Sequence, residues 1–119
     1  MQRDFEGQRA VNSEQLAQRA KMGDHLDVAR EIEHFAIFTG RKEADAARAQ
    51  LDAMGYGCKV VRRGWSKFEL HAKHTTGLET HEVDVFVGTV FAVVERNHGT
   101  YDGWDGPLEA SPGHRNEES

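Results

Sequence analysis

Between residues 30 and 105, segments with the two-residue hydrophobic period of strands alternate with segments that have the helical period. The order of these segments most constrains how this chain can fold. The segment from Arg30 to Thr39 begins as an alternation of polar and apolar residues and ends in a continuous apolar run. Such a segment is typical of a central strand that is covered on both faces near one end. The pattern therefore predicts a first strand at residues 30–39, with apolar side chains on both of its faces.

A helix and then a hairpin are predicted to follow this strand. In Arg41–Met54 the apolar residues recur at steps of three and four, which gives a narrow helical stripe, and Gly55 is suited to end the helix. The segments Tyr56–Arg62 and Phe68–Lys73 each show a two-residue period, and a short glycine-containing connection joins them. Two such segments favour an antiparallel hairpin.

The segment from Leu78 to His98 fits two patterns. Its valines at positions 83, 85 and 87 alternate and are β-branched, which favours a strand. A stripe at helical spacing over more than three turns favours a helix instead, and it comprises Val83, Phe86, Val87, Val90 and Val94. The helix is the preferred prediction because about twenty residues without proline exceed an ordinary strand. Gly99 is suited to end this helix, and a last short strand is predicted after it.

One more helix is predicted before this series, from Ser13 to Met22. Asn12 or Ser13 can cap its first N–H groups, and Gly23 offers a stop. The first eleven residues and residues 108–119 are polar without a sustained period, so both ends are expected to be flexible. Residues 12–107 are then expected to form a single domain.

The resulting order is a helix followed by β-α-β-β-α-β, which predicts an α+β domain of the ferredoxin-like type. In this arrangement two helices pack on one face of a four-stranded antiparallel sheet. Because the first strand carries apolar residues on both faces, the opposite face also needs a cover. The N-terminal helix or a second subunit can supply that cover, so a monomer or a homodimer is expected.

Composition excludes several classes of protein. The chain has 119 residues with 38% hydrophobic content, which suits one small domain rather than a barrel or a doubly wound dehydrogenase. No apolar run is long enough for a membrane span and no secretory signal is visible, so a cytoplasmic protein is expected. The single cysteine, Cys58, excludes an internal disulfide framework and multi-cysteine metal sites.

Charge is distributed unevenly along the chain, whose net charge is −5. Residues 30–77 hold nine basic and six acidic side chains, whereas residues 78–119 hold two basic and nine acidic ones. An acidic final third argues against a general binder of polyanions and favours a basic segment of a protein as the partner. The candidate protein-binding residues are the carboxylates Glu79, Glu82, Asp84, Glu95, Asp102 and Asp105.

Two motifs resemble those of a known family. Arg30-Glu31-Ile32-Glu33-His34-Phe35, with Phe38 at the end of the strand, and Tyr101-Asp102-Gly103-Trp104 are similar to the two signatures of the ribonuclease E inhibitor protein B family. The order of the predicted elements, Gly23-Asp24 before the first strand and the helix exit Leu51-x-x-Met54-Gly55-Tyr56 resemble the same family. The resemblance extends over residues 13–107, which is most of the chain.

The resemblance implies a regulator of RNA decay without catalytic activity. Members of that family bind the endoribonuclease ribonuclease E at its non-catalytic scaffold region, lower RNA cleavage and alter the degradosome. Ribonuclease E or a related protein of the RNA-decay machinery is therefore the expected partner, and no cofactor is expected. The motif residues are expected to be mainly structural, with some carboxylates open to a partner, and they are Glu31, Glu33, His34, Tyr101, Asp102, Gly103 and Trp104.

A regulatory module that binds RNA or a small ligand is the alternative interpretation. Basic residues cluster on the predicted hairpin with aromatic residues between them, and the candidates are Lys59, Arg62, Arg63, Trp65, Lys67 and Lys73. Arg63-Gly64-Trp65 matches the start of the RNA-recognition-motif signature, but the later aromatic residues of that signature are absent. The negative net charge also opposes binding to RNA.

The histidines and the cysteine do not predict an active site. His71 and His74 are three residues apart on one strand and so point to opposite faces, and His81 lacks the second histidine that a helical zinc site requires. Cys58 lies in a strand pattern, where a buried thiol is expected rather than a nucleophile. His34 is expected to make a hydrogen bond in the core.

Overall fold

The computed structural model describes residues 4–109, which form three helices and four strands. In chain order these are the helix α1 (Phe5–Lys21), the strand β1 (Arg30–Phe38), the helix α2 (Arg41–Ala53), the strands β2 (Gly57–Arg62) and β3 (Phe68–Thr76), the helix α3 (Thr80–Arg96) and the strand β4 (Thr100–Asp105). The predicted class, helices with an antiparallel sheet, is confirmed. No helix in this part of the chain is long and apolar enough to cross a membrane.

The four strands form one antiparallel sheet in the order β2-β3-β1-β4. The strand β1 lies inside the sheet between β3 and β4, so the central position predicted for it is confirmed. A β-bulge interrupts its pairing with β4 between Phe35 and Ala36. On β4, Gly103 has a φ of +138°, which residues with a side chain rarely adopt.

The helices α2 and α3 cover one face of the sheet. The residues of β1 that face them are buried, and those between them are half-buried or exposed. The buried face of α2 consists of Ala44, Ala47 and Leu51, three residues of the predicted stripe. Met54, the fourth, lies just beyond the end of the helix and is 50% exposed.

The segment that fitted two patterns is the helix α3. All five residues of the predicted stripe are buried, whereas Val85, which belongs only to the alternation, is 56% exposed. The strand alternative is therefore wrong. After the helix, His98 rather than Gly99 takes the left-handed conformation, with a φ of 65°. Gly99 is needed for close packing, because a Cβ at this position would clash with the ring of Phe38.

The helix α1 begins at Phe5 rather than at Ser13, so residues 5–11 are helical and not part of a loose end. The carboxylate of Asp4 caps this helix by accepting a hydrogen bond from the N–H of Gly7 at 2.9 Å. An apolar stripe is missing because the buried side consists mainly of polar residues, which are Gln8, Asn12, Leu16 and Arg19. Residues 1–3 and most of the tail predicted at 108–119 lie outside the described residues.

The helix α1 packs against α3 and the edge strand β4. Arg9 pairs with Asp84 of α3 at 3.4 Å, and Asn12 accepts a hydrogen bond from the indole of Trp104 at 2.9 Å. The helix therefore extends the helical layer at the β4 edge of the sheet. Of the two covers predicted for the opposite face, the N-terminal helix is therefore not the one, and no helix of residues 4–109 packs on that face.

Candidate protein-binding surfaces

The two family-like motifs meet where β1 pairs with β4. Phe35 lies opposite Gly103, and Glu33 lies opposite Asp105. Because side chains alternate along a strand, each motif sends some side chains into the core and others to the uncovered face. The meeting point of the motifs therefore has an inner side and an outer side with different chemistry.

The inner side is an aromatic cluster around His34, which is 1% exposed. Its Nδ1 lies 2.8 Å from the hydroxyl of Tyr101, and its Nε2 lies 3.0 Å from Nε2 of His74. Phe86 of α3 packs edge-on against both imidazoles, with ring centroids 5.5 and 4.7 Å away. The hydrogen bond expected of His34 in the core is therefore present, and both of its ring nitrogens have a partner.

Trp104 joins the edge strand to α1. Its indole N–H donates to Oδ1 of Asn12 at 2.9 Å, and its backbone carbonyl accepts a hydrogen bond from Gln15 at 3.2 Å. The guanidinium of Arg19 lies over the indole, 5.4 Å from the ring centroid, in a cation–π contact. Since Trp104 is 4% exposed, it acts by packing rather than by offering its ring to a partner.

Both histidines of the inner cluster are neutral at pH 7. Burial lowers the pKa of His34 to about 3, and the neighbouring His74 adds a smaller effect of the same sign. Burial also lowers the pKa of His74. The short distance between the two rings agrees with this charge state, because one ring nitrogen must donate the hydrogen bond and the other must accept it.

Acid is expected to destabilise the fold through His34. The unfolded chain binds a proton at this residue near pH 6.5, whereas the folded chain does so only near pH 3. The contribution of His34 is therefore complete above pH 6.5 and declines as the pH falls toward 3. The expected loss is about 2 to 3 kcal/mol between pH 7.5 and pH 4.5.

Urea unfolding of the wild type and of His34→Gln at these two pH values measures this loss. His74 touches residue 34 and is the one other shifted group whose titration the substitution can alter directly, so the variant is expected to lose less on acidification, by up to about 2 to 3 kcal/mol. This difference is independent of how stable the variant is at pH 7.5. Equal losses in the two proteins would contradict the assignment of the effect to His34.

The outer side belongs to the uncovered face of the sheet, which we call the outer face. It comprises Glu31, Glu33, Phe35 and Ile37 of β1, Thr100, Gly103 and Asp105 of β4, Glu69, His71, Lys73 and Thr75 of β3, and Gly57, Lys59 and Val61 of β2. Carboxylates thus dominate the half formed by β1 and β4, and lysines the half formed by β2 and β3. A shallow groove of about 380 Å³ lies between Phe35 and Pro107.

His71 connects the two halves at the centre of the outer face. Its Nδ1 lies 3.0 Å from Glu33, and its Nε2 lies 3.2 Å from Glu69. Arg63 also donates to Glu69 at 3.0 Å, and the hydrogen bonds from Arg63 and His71 lower the pKa of this carboxyl. The imidazole of His74 is in the inner cluster, so the prediction that His71 and His74 point to opposite faces is confirmed.

A buried ion network fixes the segment that follows β4. The side chain of Asp24 is 0% exposed and lies 2.8 Å from Arg30 and 3.1 Å from Arg19. Both guanidinium groups also donate to the carbonyl of Pro107. Burial by itself raises the pKa of Asp24, but hydrogen bonds from Arg30, from the N–H of Glu109 and from Arg19 outweigh it and hold the pKa below its usual value.

The sequence prediction did not identify Arg19 and Arg30 as partners of Asp24. The burial of Arg30 could have been predicted, because residues two apart on a strand point to the same face and Arg30 stands two residues before Ile32, which is buried. A cation at a buried position requires a carboxylate or another acceptor nearby. No comparable signal marks Arg19, because the buried side of α1 has no apolar stripe.

The family model for Regulator of ribonuclease activity B matches residues 9–106. The chain belongs to this family. The resemblance carried by the two motifs is thereby confirmed, and the chain is assigned to the regulators of ribonuclease activity rather than to a class of enzymes. No curated protein matches the chain.

In this member of the regulator family, the six carboxylates predicted to bind a partner do not form one surface. Three of them lie together at the N-terminal end of α3, and these are Glu79, Glu82 and Asp84. Glu95 lies near the other end of the same helix, about 24 Å from Glu79 at 1.5 Å per residue. Asp102 and Asp105 lie on the edge strand β4. Asp105 already accepts a hydrogen bond from Arg19.

The N-terminal end of α3 combines negative charge with exposed apolar surface. Val85 is 56% exposed and lies one turn from Glu82, beside a groove of about 320 Å³ that His81 and Phe86 also line. Glu79 and Glu82 are exposed, and neither takes part in the ion pairs of the described residues. We call Glu79, Glu82 and Val85 the α3 acidic patch. An exposed apolar side chain with a polar rim is typical of protein-contact surfaces.

The six residues predicted for RNA binding occupy two places. Lys59 and Lys73 lie on the outer face, whereas the tip of the β2–β3 hairpin carries Arg62, Arg63, Trp65 and Lys67. Arg62 donates to the carbonyls of Gly64 and Trp65, so it stabilises the turn. The indole of Trp65 is 86% exposed. The tip is therefore a basic turn with one exposed aromatic ring.

Neither a metal centre nor an activated thiol is found in the described part of the chain. No group of three or more histidine, cysteine, aspartate or glutamate side chains within residues 4–109 could hold a metal ion. Burial raises the pKa of Cys58 to about 12, and a hydrogen bond with Asp52 contributes to the shift. The thiol is therefore protonated at neutral pH, which does not suit a nucleophile.

Proposed function

We propose that this chain is a non-catalytic regulator that binds ribonuclease E, or a related protein of the RNA-decay machinery, and lowers RNA cleavage. The observation that carries the proposal is the α3 acidic patch, where Glu82 and the exposed Val85 line a groove and the exposed Glu79 precedes the helix three residues before Glu82. Family membership supports the class of the target. A basic segment that also carries apolar residues complements this surface in charge and in shape.

Such a regulator needs no chemistry of its own. RNA binds basic segments of proteins mainly through its phosphates, and the carboxylates of the α3 acidic patch can bind the same lysines and arginines. Occupation of a basic scaffold segment therefore competes with RNA and changes which proteins assemble there.

The domain that presents the α3 acidic patch has, we infer, the ferredoxin-like topology. The strands β1 and β2 run in the same direction with β3 between them, and β3 and β4 run in the same direction with β1 between them. These are two interleaved β-α-β units, each split by a strand of the other. Topology alone does not carry function, so the proposal rests on the patch.

Affinity capture from a native lysate is expected to recover ribonuclease E or another RNA-decay protein with the tagged full-length chain. The capture is expected to survive treatment of the lysate with an added ribonuclease, because the contact is between proteins. A capture that this treatment abolishes would contradict a direct protein contact and favour RNA as the link. Failure to recover any RNA-decay protein would overturn the proposal.

The variant Glu79→Lys/Glu82→Lys is expected to lose the capture, because it places cations opposite a basic partner. Both side chains are exposed, so the fold is expected to be retained. The matched control Asp45→Lys/Asp52→Lys makes the same change of charge on α2, where the two side chains are 44% and 42% exposed, and it is expected to keep the capture. Equal losses in both variants would show that net charge, and not the α3 acidic patch, determines binding.

RNA binding is the second candidate function, and the exposure of Trp65 favours it. An indole that is 86% exposed at a basic turn can stack on an unpaired base. Because the other tryptophan, Trp104, is buried, a fluorescence change on titration with single-stranded RNA reports on Trp65. Binding that weakens steeply with salt would support this candidate, and no binding at low ionic strength would reject it.

A further inference from the structure

We propose that the outer face is the interface of a homodimer, in which a second copy of this chain packs sheet against sheet. The two copies are related by a two-fold axis parallel to the strands. This proposal goes beyond the proposed function, which concerns the α3 acidic patch on another surface.

The outer face carries apolar surface that no described element covers. Phe35, Ile37 and Val61 of the outer face are half-buried by neighbours within the sheet itself. The ring of Phe35 packs edge-on against His71, with ring centroids 5.2 Å apart. Apolar side chains surrounded by charged residues on a flat face are typical of a contact between proteins.

The symmetry of a dimer determines which residues meet. The two-fold axis runs parallel to the strands, between β1 and β3, and places β1 over the β3 strand of the second copy. Residues that lie opposite one another on neighbouring strands form a row, and each row lies over the same row of the second copy. Glu33 and Lys73 form one row, and Phe35 and His71 form another row two residues further along β1. Glu33 therefore faces Lys73 of the second copy, and Phe35 faces its His71.

Charge selects this orientation of the axis. The carboxylates of the outer face lie mainly on β1 and β4, and its lysines lie on β2 and β3. With this axis, the acidic half of each copy covers the basic half of the other copy. An axis perpendicular to the strands places β1 over β1 instead, and carboxylates then meet carboxylates. Glu69, the acidic residue of the basic half, is already paired with Arg63 and His71.

The charges needed for these contacts are available. Glu31, Lys59 and Lys73 are exposed and take no part in the ion pairs of residues 4–109. Only Glu33 and Lys73 face each other directly in the dimer. Glu31 lies over Thr75 and Lys59 over Gly103, so each meets its opposite charge, Lys73 or Asp105, one same-face position along the strand. Glu33 uses one carboxylate oxygen for His71. Four strands give a face about 19 Å wide, which is a small interface, so the dimer is expected to dissociate reversibly in the micromolar range.

Sedimentation velocity of the full-length chain between about 1 µM and about 1 mM tests the proposal. The wild type is expected to change reversibly from monomer to dimer. Glu31→Lys/Glu33→Lys makes both halves basic, and Lys59→Glu/Lys73→Glu makes both halves acidic, so each variant is expected to raise the dimer Kd at least about tenfold. An equimolar mixture of the two variants is expected to form a heterodimer, because their faces then carry opposite charges.

The control Lys21→Glu/Lys42→Glu changes exposed lysines of α1 and α2 and is expected to dimerise as the wild type does. A wild type that stays monomeric at the highest concentration would overturn the proposal, as would a dimer that neither face variant weakens or a mixture that does not associate. A monomeric wild type whose capture of the nuclease depends on Glu31 would assign the face to the nuclease instead. Circular dichroism checks folding, and Glu31→Lys alone replaces the double variant if Glu33→Lys unfolds the chain.

Discussion

Replacement of Asp24 by alanine is expected to lower the free energy of unfolding by about 3 to 5 kcal/mol. The carboxylate lies between Arg30 and Arg19, whose side chains are 1% and 7% exposed. Without it, both guanidinium groups stay buried and lose their nearest counter-charge, which is the costly way to break a buried ion pair. The loss also frees the N–H of Glu109, which donates to Asp24, so the segment after β4 is expected to loosen. Denaturant unfolding at pH 7 measures the effect.

Two further variants and the pH dependence make this prediction specific. Asp27→Ala removes an exposed carboxylate nearby and is expected to change stability by less than about 0.5 kcal/mol. Asp24→Asn keeps the shape but not the charge, so its effect is expected to lie between the two. Because the folded-state pKa of Asp24 is lowered, its contribution is complete at neutral pH and is lost only as the pH falls through that lowered value. A loss below about 1 kcal/mol for Asp24→Ala would show that the two arginines find other partners.

Replacement of Trp104 by alanine is expected to have an effect of similar size, about 3 to 5 kcal/mol. The side chain is 4% exposed and packs edge-on against Phe86, with ring centroids 6.2 Å apart. Truncation leaves a cavity between β4 and the helical layer, because the surrounding side chains relax only in part. It also removes the donor to Asn12 and the ring beneath Arg19. Thermal and denaturant unfolding measure the loss.

The second tryptophan provides a matched control. Trp65→Ala makes the same substitution at a side chain that is 86% exposed and is expected to change stability by less than about 0.5 kcal/mol. Trp104→Phe keeps most of the apolar ring but loses the N–H donor, so a loss of about 1 to 2 kcal/mol is expected. Equal stabilities of the two alanine variants would contradict the role of Trp104 in joining β4 to α1.

Neither anchor belongs to the α3 acidic patch, although both support the same sheet. Asp24 fixes the chain that follows β4, and Trp104 holds the strand itself against α1. A regulator that acts by occupying a partner presents its surface best when that surface is rigid, because less conformational entropy is then lost on binding. In the proposed function, the buried part of the Tyr101–Trp104 motif serves binding indirectly, through the stability of the domain.

Hydrophobic periodicity predicted β1, α2 and the β2–β3 hairpin, whereas the length of its segment decided in favour of a helix for α3. The alternation in β1 and the stripe in α3 each follow from the need to bury one face of a repeating backbone. Val85 shows how the two patterns in α3 are distinguished, because only the helix leaves it exposed. The left-handed residue after α3 was not predicted, since His98 takes a conformation that glycine usually adopts.

The helix α1 and the ion network show where periodicity is insufficient. The helix buries Gln8, Asn12 and Arg19, so its inward face cannot be distinguished from its outward face by hydrophobicity. Hydrogen bonds from Trp104, to Asp24 and to each other hold these polar side chains in the core, and only Nδ2 of Asn12 and Nε of Arg19 are buried without a partner among the described residues. Their partners lie far away in the sequence, and no local pattern indicates which residues will meet.

By itself, the sequence determined the family, the order of strands and helices and the uneven distribution of charge, because these depend on neighbouring residues and on short motifs. The tertiary structure alone decided that α1 joins the helical layer and that the six carboxylates separate into distinct groups. It also decided that the outer face of the sheet has an acidic half and a basic half. The physical reason is that strand pairing places Glu33 beside Lys73 and Asp105 at once, and only the folded sheet brings such distant charges into one surface.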